Sequence, residues 1–196
     1  VGSGYHLGVR IALTGGIAEG KSTVLGFMAE LGVPTFSADA FARDALQEPE
    51  NWARIVDLFD GNEPERFEIR DRALADDRFR RQLNQILHPW ISAQLTDFHG
   101  VAEIPLLIET VRFSQMDAVI VVTCGAAEQR NRLLARTGNE GLTDQLIAVQ
   151  LPTVAKLPFA DAIIRTNESL ESVKRQSQAV LEKLHWPDAD ILRKPN

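Results

Sequence analysis

Cysteine is almost absent from this chain: of 196 residues only Cys124 carries a thiol. No intramolecular disulfide framework exists, and a reducing, cytoplasmic setting is expected. Long apolar runs are missing as well. None approaches the roughly 18 apolar residues of a membrane span, and residues 1–8 lack the charged start and apolar centre of a signal peptide. Positive charge is in deficit, with 21 Lys and Arg against 27 Asp and Glu and a net charge of −6. That balance argues against a nucleic-acid partner but leaves room for a local basic site that holds phosphates. The four histidines, His6, His88, His99 and His185, show no metal-ligand spacing. Neither an Asn-Lys-x-Asp guanine-specificity motif nor a Leu-Ser-Gly-Gly transporter signature occurs.

What the chain does contain is concentrated near its start. Gly15-Gly16-Ile17-Ala18-Glu19-Gly20-Lys21-Ser22 fits G-x-x-x-x-G-K-[ST]. The mostly apolar run Val9–Leu13 before it reads as a buried parallel strand, and Ser22–Leu31 after it reads as a helix with Val24, Leu25, Met28 and Leu31 on one stripe. Strand, loop and helix in that order make the motif a phosphate-binding loop. Its glycines allow backbone N–H groups to converge on phosphate oxygens, and the helix N-terminus adds partial positive charge. Lys21 reaches the β- and γ-phosphates, while the Ser22 hydroxyl is placed to ligate Mg²⁺. A carboxylate turned into such a loop would repel its ligand, so Glu19 is expected to point to solvent or to pair with an arginine of a lid.

The rest of the chain alternates strand and helix except in one region. Residues 33–37 read as a second strand running into a helix, which sets Asp39 near a strand's C-terminal end, where ligands bind in open parallel sheets. The same position suits a helix-capping aspartate equally well. Residues 51–98 show helical spacing only, and Leu87-His88-Pro89 predicts a break with a new helix starting at Pro89. Strands follow at 101–104, 118–123 and 162–166; the second, Ala118–Thr123, is apolar on both faces as a central strand should be. Glu103 lies near the end of the first of these and could organise Mg²⁺ through water, or be an exposed charge, as could Glu109. Cys124 reads as a small buried thiol. Arg136 stands before Thr137-Gly138, where a glycine hinge would let a lid carry its guanidinium over a phosphate; an ordinary surface salt bridge is the other reading. A closing amphipathic helix covers 170–184, and 185–196 is a tail.

Taken together in order, these residues resemble the dephospho-CoA kinase family, whose members transfer phosphate from ATP to the ribose 3′-hydroxyl of dephospho-CoA. The resemblance runs over roughly 9–184. It rests on the loop Leu13–Thr23, on Ser37-Ala38-Asp39 with Ala42-Arg43, on Leu87-His88-Pro89 and on Pro105-Leu106-Leu107-Ile108-Glu109. Further matches are Arg132 and Arg136, Gln150, Lys156 and Ala160-Asp161. It implies a three-layer α/β P-loop kinase fold with a parallel central sheet. The nucleotide-binding core would comprise 9–50 and 101–184 with a lid near 136–150, and 51–98 would be a helical substrate-binding insertion.

It also implies roles. ATP with Mg²⁺ would occupy Gly15, Gly16, Ile17, Ala18, Glu19, Gly20, Lys21, Ser22 and Thr23, with Ser22 on the metal. Asp39 would accept the proton of the acceptor hydroxyl, and Lys21 and Arg136 would stabilise the moving phosphoryl group. Asp39, Arg43, His88, Pro105 and Leu106 would contact dephospho-CoA. The chain departs from the family where Ala18-Glu19 replaces Gly-Ser, where Ser37 replaces aspartate, and where Arg165-Thr166 replaces Asp-Asn. Another small-molecule P-loop kinase, acting on a nucleoside or nucleotide, would keep the loop, the aspartate and the lid without the Leu-His-Pro and Pro-Leu-Leu-Ile-Glu pair. A non-catalytic nucleotide-binding regulator is made thinkable by Glu19 and Ser37.

Overall fold

In a computed structural model, residues 9–96, 98–105, 107–109 and 116–184 are described, with the side chains of Ala38, Asp39, Leu74, Leu95 and Thr96 left aside. The chain divides into two compact units, Val1–Phe36 with His99–Asn196, and Ser37–Phe98.

The first unit is built on a five-stranded sheet in the order β2-β3-β1-β4-β5. Its strands are β1 (Arg10–Thr14), β2 (Thr35–Ser37, whose last residue opens the second unit), β3 (Gly100–Glu103), β4 (Ala118–Thr123) and β5 (Ala162–Arg165). β1 pairs in parallel with β3 and with β4, and β4 pairs in parallel with β5. Parallel sheets survive only when both faces are covered, which is why β4 is apolar throughout. Ile11, Leu13, Ile120, Val122 and Ile164 point one way, into a core closed by Val24 and Met28 of α1 (Lys21–Glu30) and by Val173 and Leu181 of the C-terminal helix at Leu170–Lys183. Ala12, Val119 and Val121 alternate with them and are equally buried.

Strand order dictates where a ligand belongs. From β1 the chain goes first to one side of the sheet, through β2 and β3, and then to the other, through β4 and β5. The carboxyl end of β1 is therefore the point at which the winding reverses, the place where open α/β sheets form their crevice. Gly15 follows β1 directly.

The second unit is helical: α2 (Ala38–Ala45), α3 (Pro49–Asp57), α4 (Arg66–Ala75) and α5 (Asp77–Thr96). Ile55, Ile69, Phe79, Leu83 and Leu87 form its own core. Phe79 meets Phe59 edge-on with ring centroids 5.5 Å apart. The Arg72 guanidinium lies 4.6 Å from the Phe79 ring and 4.9 Å from Phe59, and it donates to the Leu58 carbonyl at 3.0 Å.

The expected break at Leu87-His88-Pro89 does not occur, because Pro89 lies inside a continuous α5 of 20 residues. Proline removes one backbone hydrogen bond and crowds the preceding turn, at about 3 kcal/mol. Leu83, Ile86 and Leu87, all buried, with Trp90 and Ile91 packed alongside, anchor the helix on both sides of the proline and outweigh that cost.

Among the described residues, no helix is long and apolar enough to cross a membrane. For the helical unit, Phe79→Ala should lower the urea unfolding free energy by about 3–5 kcal/mol, the cost of emptying a packed aromatic site. Arg72→Ala should cost only about 1 kcal/mol. Equal effects of the two would mean that the guanidinium holds α4 against α5 as strongly as the ring does.

Candidate active site

Helix α1 starts without a side-chain cap. Its N-cap residue is Gly20, in the left-handed region at φ 87° and ψ 19°. α2, by contrast, is capped by Ser37, and the C-terminal helix by Ser169. The first N–H groups of any helix lack intrahelical acceptors. Where a side chain does not take them, water or a ligand does, and the helix dipole favours an anion.

The loop sorts its own amides. Gly16 N–H donates to Glu19 Oε2 at 2.5 Å and to Thr153 Oγ1 at 3.2 Å, and Ile17 N–H donates to Gln150 Oε1 at 2.9 Å. Glu19 N–H reaches back to the Gly16 carbonyl at 3.4 Å, and Thr23 N–H to the Gly20 carbonyl at 3.1 Å. The amides of Ala18, Gly20 and Ser22 have no acceptor among the described residues. Lys21 folds over the loop with Nζ 2.9 Å from the Gly16 carbonyl, while Ser22 and Thr23 are exposed. At Gly15 a Cβ would stand 2.4 Å from the Val122 carbonyl oxygen, so the loop leans on β4 too closely for any side chain there.

The expectation for Glu19 is overturned. It is 1% exposed, and it meets neither solvent nor an arginine. Oε2 accepts from Gly16 N–H and from Thr153 Oγ1, each at 2.5 Å, and Oε1 accepts from Thr123 Oγ1 at 3.1 Å. Repulsion from phosphates is avoided in another way than foreseen: the carboxylate lies on the inner side of the loop, bonded to donors other than the open amides. Thr123 ends β4, and Thr153 opens a four-residue helix, α8 (Thr153–Lys156), far along the chain.

Other residues fasten the loop from the same side. Gln129 Nε2 donates to the Ile17 carbonyl at 3.0 Å. Thr166, the residue after β5, donates to the Glu19 carbonyl at 2.7 Å. Arg132 is spent on support, donating to Thr166 Oγ1 at 3.2 Å, to the Thr166 carbonyl at 2.7 Å and to Glu128 at 2.8 Å. Lys156, fully buried, pairs with Glu109 at 2.8 Å and donates to the Pro105 carbonyl at 3.2 Å, which also accepts from Thr14 Oγ1 at 3.3 Å. Glu109 in turn accepts from Leu151 N–H at 3.2 Å. Glu109 is thus partnered rather than an idle surface charge, and Glu103, at the end of β3, is buried.

Arg136 lies in the last turn of α6 (Ala126–Thr137), exposed and with no side-chain hydrogen bond or ion pair among the described residues. Its neighbour Arg130 is tied to Asp144 of α7 (Glu140–Ala148) at 2.8 and 3.3 Å. That guanidinium holds the Asp144 carboxyl below its ordinary range. The foreseen swivel at Gly138 is a fastened corner. Gly138, at φ 64°, caps α6 through its N–H to the Leu134 carbonyl at 2.8 Å, and Thr143 Oγ1 bridges the Thr137 hydroxyl and the Asn139 carbonyl, each at 2.7 Å. With Arg130–Asp144 added, α6 and α7 are held as one hairpin.

Among the acceptor-side residues, Ser37 rather than Asp39 is the cap of α2, its Oγ accepting from Ala40 N–H at 3.4 Å. Asp39 is the second residue of that helix, two positions beyond β2; its side chain and all of Leu106 lie outside the described residues. Arg43 is exposed in the last turn of α2, His88 is exposed on α5, and Pro105 sits in the turn after β3. Burial pushes the Cys124 thiol above its usual range, which suits a packing residue rather than a nucleophile. Among the described residues no group of three His, Cys, Asp or Glu could hold a metal ion.

Ala18 is held at φ 61°, a left-handed conformation that costs a residue with a Cβ about 1–2 kcal/mol. Ala18→Gly should therefore raise stability by about 1 kcal/mol, a gain of about 2–4 °C in melting temperature for a chain of this size. A fall in melting temperature would place the loop in another conformation.

The geometry has its counterpart in known sequences and structures. A model of the family described as dephospho-CoA kinase matches residues 9–172. The dephospho-CoA kinase of Bradyrhizobium diazoefficiens is 36% identical over 189 residues, covering 89% of this chain and 94% of its own length. The crystal structure of TT1252 from Thermus thermophilus superposes with a TM-score of 0.76 at 26% identity, over 90% of this chain and 98% of its own. The dephospho-CoA kinase structure from Campylobacter jejuni has the same fold, with a TM-score of 0.62 at 22% identity over 89% and 96% of the two chains. The chain belongs to the dephospho-CoA kinase family.

Proposed function

We propose that the loop Gly15–Thr23 seats the phosphates of ATP and that the chain passes the γ-phosphoryl group to the ribose 3′-hydroxyl of dephospho-CoA, giving CoA. The observation that carries this reading is the uncapped start of α1, where the Ala18, Gly20 and Ser22 amides, beside Lys21, have no acceptor among the described residues. Membership of the family supplies the acceptor. A regulator that only binds nucleotide would need the loop alone, not the Leu-His-Pro and Pro-Leu-Leu-Ile-Glu motifs as well.

The residues present fit Mg²⁺ as a companion of the nucleotide. No protein cage for a metal exists among the described residues, yet an exposed hydroxyl, Ser22, stands at the start of α1. Mg²⁺ keeps most of its waters and is held chiefly by substrate phosphates plus one or two protein oxygens, so Ser22 would hold it here. It would supply charge neutralisation between the β- and γ-phosphates.

In this reading Lys21 leaves the Gly16 carbonyl for the β- and γ-phosphates. Arg136 is the one arginine of α6 with no partner among the described residues, and it takes the charge that develops on the moving phosphoryl group. Asp39 orients the 3′-hydroxyl and takes its proton. A carboxylate is far too weak a base to strip a ribose hydroxyl beforehand, so proton and phosphoryl transfer proceed together. Arg43, His88, Pro105 and Leu106 are proposed as contacts to dephospho-CoA.

A coupled assay comparing dephospho-CoA, nucleosides and no acceptor tests the reading: ADP release should depend on dephospho-CoA. Equal release with no acceptor would contradict it. Asp39→Asn should lower kcat by about 10² to 10⁴, the usual range for loss of a general base, with ATP affinity kept; near-normal transfer would move the base elsewhere. Arg136→Ala should lower kcat far more than it weakens ATP binding. Lost binding with unchanged kcat would reassign that arginine to the ground state.

A further inference from the structure

We propose that Glu19 is a positioning residue for the phosphate seat: its buried carboxylate, gripped by Gly16, Thr123 and Thr153, holds Ala18 in its left-handed turn and so aims the open amides at ATP. The inference rests on ATP being the ligand of this loop.

Three observations meet at this residue. Glu19 stands between the two left-handed positions of the loop, Ala18 at φ 61° and Gly20 at φ 87°, and the open amides of Ala18, Gly20 and Ser22 alternate about it. Its side chain and backbone carbonyl are bonded to four separate segments. These are the loop itself through Gly16, the end of β4 through Thr123, the start of α8 through Thr153, and the residue after β5 through Thr166. Every oxygen is used, and no buried side-chain oxygen or nitrogen among the described residues lacks a partner.

The physical logic is one of replacement. A loop with glycine before this position adopts the left-handed turn unaided, because it has no Cβ. A loop with alanine there adopts it only when the surroundings over-determine the conformation. Hydrogen bonds to an ionised carboxylate are stronger than neutral ones, and here the donors come from elements fixed in the sheet and its flanking helix. Ala18 and Glu19 then act as one unit: the acid supplies the support that an alanine in a left-handed turn needs. The same bonds keep the negative charge on the inner side of the loop, away from the amides that meet phosphate.

The test is equilibrium binding of ATP with Mg²⁺, together with steady-state kinetics, on wild type and variants. Glu19→Ser should raise the Kd and KM for ATP about tenfold, about 1.4 kcal/mol, and leave the KM for dephospho-CoA within about twofold. Glu19→Gln should stay within about threefold of wild type, since its amide oxygen accepts from Gly16 and Thr153 and its NH₂ donates to Thr123. Adding Ala18→Gly to Glu19→Ser should recover most of the lost affinity, because glycine needs no support. A purely structural acid would instead lower the melting temperature without moving ATP affinity, and its loss would not be rescued by a change at residue 18; either result overturns the proposal. Should the Glu19 variants fail to fold, Thr153→Ala carries the test. It must raise the Kd for ATP at least threefold with the KM for dephospho-CoA unchanged, and an unchanged Kd overturns the proposal. Failure of the wild type to bind ATP at all would refute the reading of the loop itself, a different outcome from wild-type binding with indifferent variants.

Discussion

The hydrogen bonds that Gly16 and Ile17 make on the inner side of the loop decide which backbone amides are left for phosphate. A helix start offers several orphan donors and no instruction about which of them a ligand should use. Here Glu19, Gln150 and Thr153 take the two loop amides ahead of the helix, those of Gly16 and Ile17, and those of Ala18, Gly20 and Ser22, which follow β1, have no acceptor among the described residues. That strand is the middle of the sheet and the point where its winding reverses, so the open amides lie where an α/β sheet has its crevice. Fold and loop make the same choice of site.

The same contacts bring together motifs that lie far apart in the chain. Pro-Leu-Leu-Ile-Glu follows β3, and Lys156 lies some fifty residues later, yet Lys156 is sealed against Glu109 and the Pro105 carbonyl. A lysine without exposure needs both a counter-charge and acceptors for its protons, and this turn provides them. Glu109 then holds Leu151 N–H, one residue from Gln150, which holds Ile17. A continuous run of polar contacts thus leads from the turn after β3, through the segment between α7 and α8, to the phosphate loop. Arg132 extends it to β5 through Thr166.

Much of this was legible in the residues, for local reasons. The loop, β4 with its two apolar faces, and the closing helix are set by spacing within a dozen residues, and they appear where the pattern places them. Three features escaped it because tertiary contacts, not local spacing, decide them. Glu19 looks like a charge to be kept outside until Thr123 and Thr153, more than a hundred positions away, supply donors. Pro89 reads as a break until the packing on either side of it holds α5 straight through. Gly138 reads as a swivel until Thr143 and the Arg130–Asp144 pair tie the corner. Gln129, Thr123 and Thr153 carried no signal at all, since a threonine or glutamine bonded to a backbone group leaves no periodic trace. Gln150 was visible only through the family motif.

The central claim is the division of the loop into bonded and open amides, and amide hydrogen exchange resolved by residue addresses it directly. In the nucleotide-free protein, Gly16 and Ile17 should exchange slowly, and Ala18, Gly20 and Ser22 fast. On addition of ATP with Mg²⁺, protection should rise at Ala18, Gly20 and Ser22 and stay nearly constant at Gly16 and Ile17. Fast exchange at Gly16 in the free protein, or protection appearing evenly across the loop on binding, would contradict the account.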